Sequence, residues 1–311
     1  MKRAGELLVL VVLCSLTGLA FAGEAAKEFQ SKLETFRAEK HYGQAIALLN
    51  DEIKKEEQAN GPNSERLMRL LQGLGGAHME LGEFSEAEPS LEQAIRILET
   101  NKGPDYVDIA VYLMDLESAY LQDGKADKAE AAAKRSLEII EKQFGPDDAR
   151  LWNYLRNLSL AYTASAKHDE AARTLERAIS LREKAAAKGN EKEPEGAVFR
   201  VELAEAYQAA GRKEEAKKQF ESALATLKQA TTDDPDEPGI LPYVAKAHLG
   251  LNNVPEAERL LAQSIEMSEK KGRLDDLGGV GFLEIAAKVY GQMGNAAKVQ
   301  ELEQRVKKIR D

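Results

Sequence analysis

The chain has 311 residues, of which 43% are hydrophobic but only 6% aromatic, so its core must be built mainly from Ala and Leu, as in packed helices. Charged residues make up 31% of the chain, and the formal net charge is −10. Such a surplus of acidic groups provides no basic stripe for a phosphate backbone, which argues against nucleic acid as a partner.

The first 22 residues have the pattern of an export signal. The opening Met-Lys-Arg is positively charged, residues 7–21 are almost wholly apolar, and residues 20–22 read Ala-Phe-Ala, the small-x-small shape of a cleavage site. Roughly 16 apolar residues are fewer than the ~20 that a spanning helix needs, which favours a cleaved signal, with cleavage before Gly23, over a retained anchor. The sequence therefore predicts a protein exported to a bacterial periplasm or the cell exterior, whose only membrane contact is through the transient signal.

The single cysteine, Cys14, lies within this signal. The residue before it, Leu13, is not the small residue that lipoprotein processing favours. A mature chain starting at Gly23 would therefore contain no disulfide and no cysteine nucleophile.

A repeat of 42 residues follows the signal. Gly-Pro pairs recur at this interval, at 61–62, 103–104 and 145–146. Alanines within similar short segments recur at the same interval, at Ala45, Ala87, Ala129 and Ala171. In the later copies the interval changes slightly, and the corresponding residues are Ala216 and Ala257. The last copy, around Val299, matches the phrase least well.

Each copy is predicted to form two amphipathic helices. In LLQGLGGAHMEL and AEPSLEQAIRIL apolar residues recur three and four apart, and Gly82 lies in the turn between them. At the Gly-Pro junctions, Gly103 tolerates a left-handed helix end and Pro104 cannot continue the helix. Asp105 is placed to cap the next helix, and Asn63 and Asp147 occupy the same position in other copies.

These residues resemble the tetratricopeptide repeat, in the 42-residue variety found in kinesin light chains. The resemblance covers about residues 28–308. In this family a first helix carries a Leu, a small residue and then an aromatic residue, and the matching residues here are Leu116 and Tyr120, Leu158, Ser159 and Tyr162, and Leu203, Ala204 and Tyr207. A second helix carries two small residues, and the matching residues here are Ala87 and Ala94, Ala171 and Ala178, and Ala216 and Ala223.

The resemblance implies an all-α fold, a right-handed superhelical solenoid of antiparallel helix pairs with about six to seven repeats. It implies one repeat domain over residues 23–311, interrupted by irregular junctions at 188–196 and 231–239. Some positions depart from the family pattern. His78 and His248 replace aromatic residues, Ser136 and Ser264 replace Ala, and Glu303 stands in the last copy, which is expected to act as a polar cap.

No catalytic or metal-binding motif is found in the sequence, so we expect no enzyme activity, no metal and no cofactor. The four histidines lack the HExxH spacing, and two of them fill packing positions. Gly73, Gly75 and Gly76 fall within a predicted helix rather than after a strand, which favours close helix packing over a dinucleotide loop. The acidic segment 231–239 lacks the closing glutamate of a calcium loop.

In this family the first helices line a concave groove, so residues there that packing does not require are the expected partner contacts. Asn157 stands where the kinesin-light-chain variety carries a groove asparagine, while Gly73, Asp115 and Glu202 occupy that position in other copies. The predicted contacts are Arg69, Gln72, Met79, Met114, Ser118, Gln122, Asn153, Arg156, Asn157, Leu160, Arg200 and Glu205.

The leading hypothesis is therefore an exported scaffold or adaptor that binds a peptide or protein segment, acidic or mixed in charge, in this groove. An alternative is a sensor whose curvature changes when a small molecule or peptide binds, with the two irregular junctions as hinges. A third possibility, an enzyme, is disfavoured because the sequence contains no paired nucleophile and base, no metal cluster and no phosphate loop. The sequence also leaves open whether a second copy of the same chain occupies the groove. The functional part of each hypothesis rests on the family resemblance, because a fold does not by itself give a function.

Overall fold

A computed structural model describes residues 24–39, 41–189, 194–233, 238–274 and 277–310. The predicted export signal and Cys14 lie outside the described residues. Among the helices of these ranges, no segment has the length and apolar character needed to cross a bilayer.

In the described ranges the chain folds into fourteen α-helices and one short 3-10 helix, with no strand. The helices alternate between the first and second members of seven pairs, and each first helix packs against the second helix that follows it. The first helices are α1 (Glu24–Ala38), α3 (Glu65–Glu80), α5 (Ile109–Gln122), α7 (Leu151–Ala164), α9 (Pro194–Ala209), α11 (Leu241–Gly250) and α13 (Leu277–Gln292). The second helices are α2 (Tyr42–Asn60), α4 (Phe84–Lys102), α6 (Ala126–Phe144), α8 (His168–Gly189), α10 (Lys213–Asp233), α12 (Val254–Lys270) and α14 (Ala296–Arg310).

Small residues let the two helices of a pair approach closely. All six small residues predicted for the second helices, from Ala87 to Ala223, are buried. Gly75 on α3 shows the reason, because a Cβ atom there would lie 2.7 Å from Cγ of Leu91 on α4. The predicted packing role of Gly75 is therefore confirmed, because a larger residue there would overlap with Leu91.

The Gly-Pro junctions end the second helices as predicted. Gly61, Gly103 and Gly145 follow α2, α4 and α6 with φ between +80° and +92°, a region that favours glycine. The capping prediction is wrong for Asp105, which forms an ion pair with Lys142, while the residue at the start of α5 makes no side-chain cap.

Only the first of these junctions has a capping side chain at the following first helix. Ser64, rather than the predicted Asn63, accepts hydrogen bonds from the backbone N–H groups of Arg66 and Leu67 at the start of α3. Asp147 pairs with Lys184 at 3.7 Å instead of capping α7. Several polar residues lie near each helix start, and sequence alone did not distinguish which of them would cap it.

The positions that depart from the family pattern remain compatible with packing. Ser136 and Ser264 are fully buried, and the Ser136 hydroxyl donates to the carbonyl of Ala133 at 2.9 Å. His248 is buried, and its Nδ1 lies 3.3 Å from the amide nitrogen of Asn253. Glu303 is exposed on α14, as expected of a terminal helix that turns a polar face to water.

The chain divides into two compact units at the third Gly-Pro junction, between Pro146 and Asp147. We call the described residues before this point the N-terminal unit and those after it the C-terminal unit. The N-terminal unit contains α1 to α6, and the C-terminal unit contains α7 to α14. The division does not fall at the irregular junctions 188–196 and 231–239, and the prediction of one repeat domain over 23–311 stays a prediction.

Candidate partner-binding faces

Each unit presents a surface formed by its own first helices, which we call its first-helix face. All twelve predicted contact residues lie on first helices, namely α3 and α5 in the N-terminal unit and α7 and α9 in the C-terminal unit. Their burial differs widely. Gln72, Met79 and Met114 are buried, whereas Gln122 and Leu160 are exposed, and the remaining predicted residues are half-buried. A partner can therefore contact the second group directly but the first only after a local rearrangement.

In the N-terminal unit the central polar contact joins α3 to α5. The Gln72 amide Nε2 donates to Oδ2 of Asp115 at 3.2 Å. Asp115 is only 3% exposed, and its other oxygen, Oδ1, has no hydrogen-bond partner. Burial raises the pKa of Asp115 to about 7, an effect that the hydrogen bond from Gln72 only partly opposes.

A second unsatisfied group lies one turn earlier on α3. The Arg69 side chain is half-buried, and its Nε has no hydrogen-bond partner. Arg69 acts electrostatically on Tyr112 of α5, whose pKa is raised to about 12 by burial despite the opposing positive charge. The first-helix face of the N-terminal unit thus contains a donor, Arg69 Nε, and an acceptor, Asp115 Oδ1, that have no hydrogen-bond partner within the chain.

In the C-terminal unit the corresponding groups are paired within the chain. The Arg156 guanidinium on α7 donates to both carboxylate oxygens of Glu202 on α9, from Nε at 2.9 Å and from Nη2 at 2.5 Å. Further along the face, Lys246 Nζ on α11 donates to Glu205 at 3.0 Å. Burial raises the pKa of Tyr243, also on α11, to about 12, and Glu202 adds to this effect.

An aromatic cluster supports the Arg156 and Glu202 pair. Trp152 and Phe199 lie with ring centroids 5.3 Å apart, and the Arg156 guanidinium lies 5.5 Å from the Phe199 centroid. Arg182, a buried residue of α8, lies 4.3 Å from the centroid of Trp152. These cation–π contacts connect α7, α8 and α9, so Trp152 takes part in the packing between these helices.

Sequence patterns described as tetratricopeptide repeat match residues 68–141, 108–184, 198–230 and 216–270, which together span more than half of the chain. The chain belongs to the tetratricopeptide repeat family. No curated protein sequence matches it.

Several solved tetratricopeptide-like structures share the fold. A structure described as a kinesin light chain of Podosopora anserina, with nearly identical TPR-like repeats, is 25% identical, with a TM-score of 0.53 over 67% of this chain and 97% of that one. The apo form of RapI is 12% identical, with a TM-score of 0.65 over 91% and 97%. The Rap conjugation gene regulator of plasmid pLS20, in complex with the Phr* peptide, is 14% identical, with a TM-score of 0.55 over 99% and 87%.

The predicted all-α solenoid is therefore confirmed. Tetratricopeptide solenoids typically serve as interaction scaffolds rather than as enzymes. No group of three or more His, Cys, Asp or Glu side chains in the described part of the chain is arranged to hold a metal ion.

Arg200 is the predicted contact whose placement needs correction. Its guanidinium pairs with Glu183 on α8 and donates to Gln219 on α10 at 3.0 Å, and both of these are second helices. It therefore faces away from the first-helix face. The later copies slip in the repeat count after α8, and this slip places Arg200 at the position that Leu155 occupies in the previous copy.

Four residues of the first-helix faces were not among the predicted contacts, namely Asp115, Glu202, Tyr243 and Lys246. Asp115 and Glu202 share the repeat position of Asn157, so the register already placed them on this face. A carboxylate within the apolar run YLMDL is also a signal of burial. Their pairing partners could not be identified, because each pair joins two different first helices.

Proposed function

We propose that this tetratricopeptide repeat protein is an exported interaction scaffold that binds a peptide or protein segment on its first-helix faces. The observation that carries the proposal is the pair of unsatisfied polar groups, Arg69 Nε and Asp115 Oδ1, on one such face. Buried or half-buried polar groups are normally hydrogen-bonded, so an unpaired donor and acceptor on a repeat surface favour a partner that completes them.

Two further observations support this proposal. Leu160 is a large apolar side chain that is 37% exposed on the first-helix face of the C-terminal unit, and an apolar anchor of this kind suits a protein partner. A structure of similar fold, the Rap regulator of plasmid pLS20, was solved with a peptide bound. At 14% identity that likeness supports only the fold, and peptide binding by this chain is our proposal.

The test is a selection of peptides displayed on phage against an immobilised chain of residues 23–311. One variant carries Ser118→Ala, Gln122→Ala and Arg69→Ala in the N-terminal unit, and another carries Asn153→Ala, Asn157→Ala and Leu160→Ala in the C-terminal unit. A matched control carries Glu138→Ala, Gln143→Ala and Arg173→Ala, all at exposed positions of second helices.

We expect peptides that the parent and the control retain and that at least one face variant loses. Peptides retained equally by all four proteins would contradict binding on the first-helix faces. Small-angle scattering with and without a selected peptide then separates the scaffold from the sensor alternative, because a static scaffold keeps its radius of gyration.

Export is a separate part of the proposal and needs its own test. The full-length chain with a C-terminal tag is expressed in a bacterium, and the cells are fractionated. We expect the tagged chain in the periplasm or the medium, with an N-terminal sequence that begins at Gly23. A chain that stays in the cytoplasm with residues 1–22 attached would contradict export.

A further inference from the structure

The same cross-helix contact occurs once in each unit, with a different donor. In the N-terminal unit Gln72 of α3 donates to Asp115 of α5, and in the C-terminal unit Arg156 of α7 donates to Glu202 of α9. Gln72 and Arg156 occupy the same position of their repeats. Asp115 and Glu202 occupy the position that follows it in theirs. The two pairs are therefore equivalent positions of the repeat, occupied by a neutral donor in one unit and a cation in the other.

This difference leaves Asp115 without a counter-charge. The two oxygens of Glu202 both accept from one guanidinium, whereas Asp115 receives a single hydrogen bond from a neutral amide and keeps Oδ1 unpaired. A buried carboxylate that lacks a cation is costly, and such groups are normally paired. The influences that set the pKa of Asp115 are burial and the Gln72 amide, and no cation is among them.

We propose that Gln72 and Asp115 form a binding site for a lysine or arginine side chain of the partner, which supplies the cation that Arg156 supplies within the C-terminal unit. This inference rests on the proposed function and adds the chemistry of the segment that is bound. The incoming cation displaces the Gln72 amide from Oδ2 by rotation about its side-chain torsions and then donates to the Asp115 carboxylate. A guanidinium could engage both oxygens, as Arg156 does at Glu202.

The charge distribution supports a cationic partner for the N-terminal unit. Residues 24–146 contain 24 Asp and Glu against 15 Lys and Arg, a formal charge of −9, whereas residues 147–311 contain 28 against 26, a formal charge of −2. Most of the acidic excess therefore surrounds the unit in which Asp115 lacks its cation. Complementary charge of this kind favours the encounter with a basic segment and disfavours an acidic one.

Arginines at positions 69, 156 and 200 on the predicted faces favour an acidic or mixed segment as long as the sequence alone is considered. Two of these, Arg156 and Arg200, are already paired with glutamates of the chain. Of the three arginines only Arg69 keeps an unsatisfied donor atom, while the unsatisfied acceptor Asp115 Oδ1 belongs to a carboxylate. A basic segment therefore fits the N-terminal unit better than an acidic one.

The probe is a short synthetic peptide of alternating lysine and serine, compared with the same peptide carrying acetyl-lysine, which removes the charge and keeps the chain length. Binding to residues 23–311 is measured by fluorescence polarisation at pH 8, where Asp115 is ionised. Asp115→Asn removes the charge with almost no change of shape. Gln72→Arg rebuilds within the chain the pair that Arg156 and Glu202 form, and so occupies the site.

Two controls remove one acidic charge elsewhere. Glu138→Gln alters an exposed residue of a second helix in the N-terminal unit, and Glu214→Gln alters an exposed residue of a second helix in the C-terminal unit. We expect the lysine peptide to bind Asp115→Asn and Gln72→Arg at least tenfold more weakly than it binds the parent, and to bind both controls within twofold of the parent. The acetylated peptide should bind the parent and all variants with the same affinity. Equal binding of the lysine peptide by Asp115→Asn and Glu138→Gln would overturn the inference.

Asp115→Asn and Gln72→Arg are both expected to fold as stably as the parent. Both relieve an uncompensated buried charge, so their thermal midpoints are expected to equal or exceed that of the parent, which excludes loss of folding as the cause of weaker binding. If peptides selected by phage display are retained by Asp115→Asn and Gln72→Arg but lost by a face variant, the proposed function stands and the cation site is refuted. If the face variants also retain them, the proposed function itself fails.

Discussion

The two units use the same repeat position in different ways. In the C-terminal unit, Arg156 and Glu202 connect neighbouring first helices through a bidentate ion pair, and Lys246 and Glu205 add a second connection. In the N-terminal unit, the connection between α3 and α5 consists of one neutral hydrogen bond to a carboxylate that is otherwise unpaired. A single residue, arginine or glutamine, thus determines whether the carboxylate at this position has a cation of the chain beside it.

The largest effect is expected from breaking the pair of the C-terminal unit. Arg156→Gln leaves Glu202, whose side chain is only 12% exposed, without its cation, and we expect a loss of about 3 kcal/mol in the free energy of unfolding. Trp152 is the only tryptophan and lies in this unit, so urea unfolding followed by tryptophan fluorescence reports the change directly.

A matched control for this variant is Arg150→Gln, which removes an exposed arginine paired with Asp148 in the same unit. We expect its fluorescence midpoint to equal that of the parent. If Arg156→Gln also leaves the midpoint unchanged, the ion pair does not stabilise the C-terminal unit, and the contrast between the two units loses its physical basis.

The next effect is a gain of stability in the N-terminal unit that depends on pH. The pKa of Asp115 is about 7 in the folded chain and near its ordinary value of 3.8 when unfolded, so the folded state binds more protons between these values. The Asp115 carboxyl therefore lowers the stability of the parent as the pH rises from about 4 to about 7, and Asp115→Asn lacks this contribution. We expect the variant to be more stable by about 2 kcal/mol at pH 8 and by almost nothing at pH 4.

Thermal unfolding followed by circular dichroism at a series of pH values measures this difference. Glu138→Gln serves as the control, because it removes an acidic side chain that is exposed on a second helix of the same unit. An Asp115→Asn variant that is less stable than the parent at pH 8 would mean that the carboxylate is compensated by groups other than Gln72.

The smallest effect is expected from removing the neutral donor. Gln72→Ala deletes the hydrogen bond to Asp115 and should cost about 1 kcal/mol at pH 8. In an Asp115→Asn background the same substitution should cost less, because a neutral acceptor gains less from the amide. A double-mutant cycle of these two positions, measured by urea unfolding, gives the coupling energy, and a value near zero would contradict the contact between α3 and α5.

Much of the fold followed from local pattern. The 42-residue interval predicted the helix pairs, and the glycines at 61, 103 and 145 end second helices as expected because few other residues tolerate their backbone angles. The caps were predicted less well. Ser64 and Asn63 are both suitable capping residues, and only the three-dimensional path of the chain determines which of them meets the helix start.

The sequence predicted which helices carry the candidate faces, but it did not predict which side chains on these faces pair with each other. The register placed Gln72 and Arg156 on first helices, yet it could not show that each is engaged by a carboxylate more than 40 residues further along the chain. Contacts between different repeats depend on how neighbouring helices pack, which no local spacing encodes. The slip after α8 also moved Arg200 to a position that faces second helices.

The burial of Asp115 also has a consequence for the rates of binding. Exposed acidic groups of the N-terminal unit act over distances of about 8 Å at physiological salt, so they would influence how fast a basic segment arrives. Asp115 is covered, and a cation reaches it only after the Gln72 side chain turns away. Added salt should therefore slow association, whereas substitution of Asp115 should mainly shorten the lifetime of the complex.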